Sequence, residues 1–435
     1  MIDYLKNNRS CAVFALLNMA VFAILAAVAP VLSPDSGGYM EGSIFRAPGY
    51  PLFLSLCRLV SGGAYLRVAV VLQTAIAMLG VVWLAVELKR CFRMPVLVFL
   101  PVYLALLWPL MPMKGGFIGA QIMTEALSYG LMLGGVAGFV RYVFSRDIRW
   151  FAVFSLFAAG AMLVRPQFIF MPIAGALVAA AGFLHERNIR KAVLPVLLSV
   201  SAVCGAISAE RGYHLVRHGV FRASPGVGLV SAMNGLFLSD DATASFFSEP
   251  GQKALFEQCY AKVKAAGMRS ADFKGKGITA YAQFYGDAAD PVIWDIVSPS
   301  LDDICGAGLP ASECVLKKDA AAGAIGKTII SRKRAEFVKL MAYKFLARAP
   351  LDYWFFMAGA FVFAGILFVR HALPEAALLF GVLLMHAINY FGVGLAAPLR
   401  QRLIFPTEML CAALMLAFLW VCYDRFRSVL NKETV

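Results

Sequence analysis

Two carboxylates and four arginines stand where an apolar chain has little reason to place charge. Asp35 follows the first long apolar run, in SPDSGGYMEGSIFRAPGYPLF (residues 33–53), and Glu125 opens another in QIMTEALSYG. Arg46 shares the first stretch, Arg165 precedes Pro166 between two apolar segments, and Arg400 and Arg402 occur in AAPLRQRLIFP. A positioned carboxylate takes or gives a proton, and an arginine at membrane depth usually finds a phosphate or a carboxylate. Each residue also has a plainer reading. A lone Asp just past a membrane helix is commonly only solvated. Glu125 at a helix start gains up to about 1 kcal/mol from the dipole, and an interfacial arginine can snorkel.

The elements that must hold these groups follow from composition. The chain has 435 residues, 60% of them hydrophobic and 15% charged. The apolar residues come in runs of roughly 17 to 25, the length that crosses hydrocarbon. About ten spans are expected, at 11–32, 66–86, 95–113, 122–144, 150–164, 167–184, 192–209, 351–369, 374–395 and 403–423. The first is too long for the apolar core of a signal peptide and is read as a retained helix. Short basic loops (Lys6 and Arg9; Lys89, Arg90 and Arg93; Arg141, Arg146 and Arg149; Arg187, Arg190 and Lys191; Arg370; Arg425, Arg427 and Lys432) alternate consistently with a cytoplasmic N-terminus. Both acids and the four arginines then share the opposite face. The net charge of +14 is largely explained by these loops, and no nucleic-acid module is present.

The loop from 33 to 65 is too apolar to hang in water and is expected to pack on the membrane face as short helices. Gly37 and Gly38 permit close backbone approach, and Pro48, Gly49, Tyr50 and Pro51 form a rigid turn. Arg211, His214, Arg217 and His218 follow the seventh run at helical spacing, as a phosphate contact or as a solvated basic face. His386, Asn389 and Tyr390 share one helix face and read as interhelical hydrogen-bond glue.

Residues 210–350 form the one long polar segment, outside the cytosol by the same alternation and mainly helical. Its end, Ser331 to Ala349, has helical periodicity with basic residues filling the other positions, as an interfacial helix would. Within this segment Cys305 and Cys314 flank a Gly/Pro loop and are candidates for a disulfide, with Cys259 free or competing. The stretch AAGAIGKT (321–328) imitates a phosphate-binding loop but lacks the first glycine and a preceding strand. Three domains are expected: 1–209, 210–350 and 351–435.

PDSGGYM after the first span, FRAPGYPLF, and MTEALS opening the fourth resemble the GT-C glycosyltransferases, which use polyprenyl-phosphate-linked sugars; LVRPQFIFMP and LRQRLIFP are weaker echoes. The family includes protein O-mannosyltransferases, the aminoarabinose transferase of lipid A and arabinofuranosyltransferases. The resemblance implies an all-α polytopic bundle in a bacterial inner membrane, active on its periplasmic face. It implies Asp35 as catalytic base with Glu125 as a second acid. A departing lipid phosphate needs cations, which makes Arg46, Arg165, Arg400 and Arg402 candidate donor-phosphate contacts, and Tyr39, Tyr50, His214 and Arg217 are expected to line a substrate groove. The implied partners are the polyprenyl-phosphate sugar, membrane lipids and an extracytoplasmic protein, lipid or glycan acceptor. Where some relatives have two adjacent acids, this chain has the single Asp35. No cofactor is required by the sequence; a divalent cation is compatible with the resemblance, but no ligand spacing supports one. A lipid-linked sugar flippase and an oligosaccharide ligase or polymerase are the competing readings.

Overall fold

The computed structural model describes residues 9–111, 118–186, 189–306, 308–348, 351–371, 374–396 and 401–433. The chain is all-α. Its helices are α1 (Arg9–Ala27), α2 (Ser36–Met40), α3 (Gly49–Ser61), α4 (Tyr65–Phe92), α5 (Val96–Leu107) and α6 (Thr124–Ser145). Then follow α7 (Ile148–Val164), α8 (Phe170–Glu186), α9 (Ile189–His218), α10 (Val227–Phe237), α11 (Pro250–Ala265) and α12 (Ile278–Pro291). The last are α13 (Ala311–Arg332), α14 (Arg334–Arg348), α15 (Leu351–His371), α16 (Pro374–Ala396) and α17 (Gln401–Glu433). Among the described residues the only strand-like pairing is one isolated bridge, Val31 with Gln121.

The sequence predicts about ten spans, and this is corrected. Five described helical stretches are long and apolar enough to cross a membrane: Gly49–Phe92, Thr124–Ser145, Val193–His218, Pro374–Val393 and Thr407–Arg425. The fully described parts of the other apolar helices, among them Phe14–Ala27, Val96–Leu110, Ile148–Val164 and Tyr353–Phe368, are 10–17 residues long. The 12 residues of α5 rise about 18 Å, well short of a ~30 Å hydrocarbon core. Arg165 takes an extended conformation (φ −156°) and Pro166 follows, so α7 stops at 17 residues.

Two compact units are present: residues 1–210 with 360–389 and 402–435, and residues 211–359 with 390–401. In the first unit, side-chain pairs fix the helix directions. Asn18 accepts from Tyr103 (2.6 Å) and Phe14 meets Phe99 edge-on, so α1 and α5 run parallel. Gly80 faces Gly130, and Arg141 pairs with Glu87 at 3.1 Å, so α4 and α6 also run parallel. Arg67, near the start of α4, donates to the carbonyls of Ala27 and Val28 at the end of α1, which makes the two sets antiparallel. The starts of α4 and α6 therefore share one end of the bundle with the finish of α1.

The centre of this unit is α6, buried along almost its whole length. Glycine permits that position. A Cβ on Gly130 would stand 2.7 Å from the Ile76 carbonyl, and one on Gly80 2.6 Å from the Gly130 oxygen, so the two backbones touch. His386 Nδ1 and Asn389 Nδ2 both reach the Thr407 hydroxyl, at 3.0 and 3.1 Å. This polar tie joins α16 to α17.

The second unit packs α10 along α13. Asp319 Oδ1 accepts from the amides of Gly226 and Leu229, each at 3.0 Å, which caps α10. At its other end Lys333 donates to the Leu238 carbonyl and to Asp240. Cys305 and Cys314 are joined as a disulfide, and Cys259 is a buried free thiol. Residues 321–328, the loop-like imitation, lie inside α13. The apolar stripe of α14 is turned inward: Leu340, Met341 and Lys344 are buried, and α14 packs on α12. Lys344 thus departs from the basic outer face that the sequence predicts for it.

Candidate functional site

The loop carrying Asp35 is built from three short ties to distant chain. Val31 donates to the Ala120 carbonyl (2.9 Å), and Ile122 donates back to Val31 (3.0 Å). The Ser36 hydroxyl donates to the Ile122 carbonyl at 2.9 Å and accepts from the Ser33 amide at 2.8 Å. Further on, Gly49 lies against the Leu163–Val164 backbone, where no side chain would fit. Together these contacts seat residues 31–49 on the start of α6 and the end of α7.

Gln73 fixes the same corner from below. Its amide nitrogen donates to the carbonyls of Gly119 (2.7 Å) and Gln121 (2.8 Å), and its oxygen accepts from the Tyr50 hydroxyl (2.9 Å). The sequence reading passed over Gln73 and Ser36. The signal for Gln73 was available, since a single glutamine inside the 66–86 apolar run needs partners once buried.

On this seat the two acids each meet an arginine. Arg46 donates to Asp35 Oδ1 at 2.8 Å, and its guanidinium lies over the Tyr39 ring at 4.6 Å. Both members of that pair remain about one-third exposed. Arg165 approaches Glu125 Oε1 at 3.1 Å, with the Glu125 side chain only 3% exposed. Thr124 donates to the other Glu125 oxygen at 3.4 Å. Breaking α7 at Arg165 is what delivers its guanidinium here instead of leaving it on a helix face. A one-third-exposed acid and a buried acid, each ordered by a cation, give one carboxylate open to a reactant and one held as support.

Of the other expected site residues, Tyr50 belongs to this corner, and His214 and Arg217 belong to the second unit. Tyr50 is fully buried as the Gln73 partner, with its ring 5.2 Å from that of Tyr39. His214 is fully buried, and its Nδ1 meets the Arg222 carbonyl at 2.8 Å, holding the chain reversal after α9. Both are packed and hydrogen-bonded to their own chain. Arg217 is exposed on α9, in the second unit. Arg400 and the side chain of Arg402 lie outside the described residues. Among the described residues no three His, Cys, Asp or Glu side chains gather as a metal site. No family model, curated protein or solved structure matches this chain.

Proposed function

We propose that this chain is a membrane glycosyltransferase of the GT-C type, moving a monosaccharide from a polyprenyl-phosphate donor to an extracytoplasmic acceptor. The observation that carries the reading is the pairing of Asp35 with Arg46 and of Glu125 with Arg165 at one end of one bundle. Positive-inside alternation assigns that end to the extracytoplasmic side. A sugar on a lipid phosphate already carries its leaving group, so the protein has two tasks. It must remove the acceptor proton and stabilise the departing phosphate.

In this reading Asp35, the more exposed acid, takes the proton from the acceptor hydroxyl. The acceptor oxygen bonds to the anomeric carbon as the bond from that carbon to the phosphate oxygen breaks. The electron pair leaves with polyprenyl phosphate, whose charge is met by Arg46 and Arg165. Glu125 keeps Arg165 extended toward the site. Arg46 sets the direction of the Asp35 carboxylate until the donor phosphate competes for its guanidinium.

The test uses full-length protein in proteoliposomes with radiolabelled undecaprenyl-phosphate pentoses and hexoses and a cell-envelope acceptor fraction. Wild type should transfer label, and Asp35→Asn should be slower by roughly 10²–10⁴-fold while still binding donor. Equal rates for the two proteins would remove Asp35 from the mechanism. Donor moved across the bilayer with no label transferred would favour a flippase.

A further inference from the structure

The second unit carries a surface that the proposed chemistry does not use. Along it Phe273, Tyr281 and Tyr343 meet in sequence, with ring centroids 5.2 and 5.3 Å apart. Lys339 lies with its ammonium 5.5 Å from the Tyr343 ring centre. The segment FKGKG folds back so that Gly275 abuts the Phe273 ring, leaving Lys274 and Lys276 exposed beside it. Val338 (65% exposed) and Ile278 (38% exposed) add apolar surface. The three rings are only half-buried, so their edges are open.

We propose that this patch rests on the headgroups of anionic lipids, making the second unit a peripheral reader of membrane charge. Three observations favour a bilayer as the occupant. First, α14 ends at Arg348 and α15 begins at Leu351, so the patch is a short path from an apolar helix. Lys339 is nine residues before Arg348, about 14 Å of helical rise. Second, the first turn of α15 carries Tyr353 and Trp354 and then the exposed Phe355 and Phe356, the order found where a helix enters lipid from its interface. Third, the charge is complementary. Glu336 is the single acid of α14, and Asp272, next to Phe273, is already engaged by Arg269 at 2.6 Å. Lysines beside half-open aromatic rings suit a layer that is anionic outside and apolar beneath.

The experiment follows amine acylation by a water-soluble ester, read by peptide mass spectrometry on wild-type full chain in nanodiscs. One set is pure phosphatidylcholine and the other contains 30% phosphatidylglycerol. Lys253, exposed on α11, is the internal reference. Lys274, Lys276 and Lys339 should each react at least threefold more slowly, relative to Lys253, in the anionic discs. That difference should vanish at 0.5 M salt, where screening is short-ranged. Equal relative rates in both discs would overturn the proposal. So would protection by dissolved polygalacturonate without protection by anionic lipid, which would make the patch a glycan surface.

Discussion

Gly49 sits against Val164 so closely that a Cβ built on the glycine would stand 2.7 Å from the Val164 nitrogen. The obstacle is backbone, which cannot rotate away as a side-chain tip can. Gly49→Ala should therefore push α3 off the end of α7 and cost about 1–3 kcal/mol. A lowered thermal midpoint in detergent, with weaker activity than the melting shift alone explains, is the expected result. An unchanged midpoint would show that the two backbones separate freely.

The Glu125–Arg165 pair predicts an asymmetric response. Arg165→Ala leaves a carboxylate at 3% exposure without this cation and should cost about 3–5 kcal/mol. Removing both charges together (Glu125→Gln with Arg165→Ala) should cost less than Arg165→Ala alone, because the buried carboxylate goes with its cation. A double-mutant cycle on chemical denaturation measures this coupling. Simple additivity would mean that the two charges do not interact.

Lys344 makes stability depend on pH. Its ammonium is buried, 3.4 Å from the Tyr285 hydroxyl and 4.7 Å from the centre of that ring. Burial pushes its pKa down from 10.5 to about 7. Between pH 7 and 10.5 the unfolded chain holds a proton that the folded one does not, so this residue's contribution makes stability rise with pH across that window. Below the window both states are protonated and the residue's cost is constant. Lys344→Met should raise the melting temperature at pH 7 and flatten the rise toward pH 10. Parallel melting profiles for the two proteins would refute this.

The Cys305–Cys314 bridge closes a loop of sequence separation 9. Chain entropy gives about 2.5 kcal/mol for such a loop. Replacing both cysteines by serine should lower the stability of the second unit by that order, measured by limited proteolysis under native conditions. Proteolysis at the wild-type rate would mean that the bridge constrains nothing the fold has not already fixed.

How much of this was legible in the sequence depends on how local the cause is. Charge alternation between apolar runs put Asp35 and Glu125 on one face, because basic loops are a local signal read against a fixed bilayer. The pairing of Asp35 with Arg46 was not visible, since it depends on how residues 36–45 turn. Nor was the pairing of Glu125 with Arg165, which depends on where α7 stops. The span count was overread for a physical reason: hydropathy registers apolar surroundings without distinguishing lipid from protein. In Val96–Leu107 one face (Phe99, Val102, Tyr103 and Leu106) is buried in the bundle while Val96, Leu97, Leu100 and Leu104 are exposed, and hydropathy counts both faces alike. Lys344 was misplaced by counting it with its basic neighbours, although the inward stripe of Leu340 and Met341 brackets its position on the helix.

The ties from Ser36 to Ile122 and from Gly49 to Val164 also set a schedule for biosynthesis. Arg165 is translated 165 − 35 = 130 residues after Asp35, roughly 6 to 26 s later at ribosomal speed. Within that interval residues 120–122, the first part of the loop's seat, are made before the Leu163–Val164 backbone that receives Gly49. A nascent chain arrested before Arg165 would carry Asp35 and Arg46 intact and still lack the corner that orders them. The corner is thus completed late, when the end of α7 arrives, and Asp35 stays without its full set of supporting contacts until then.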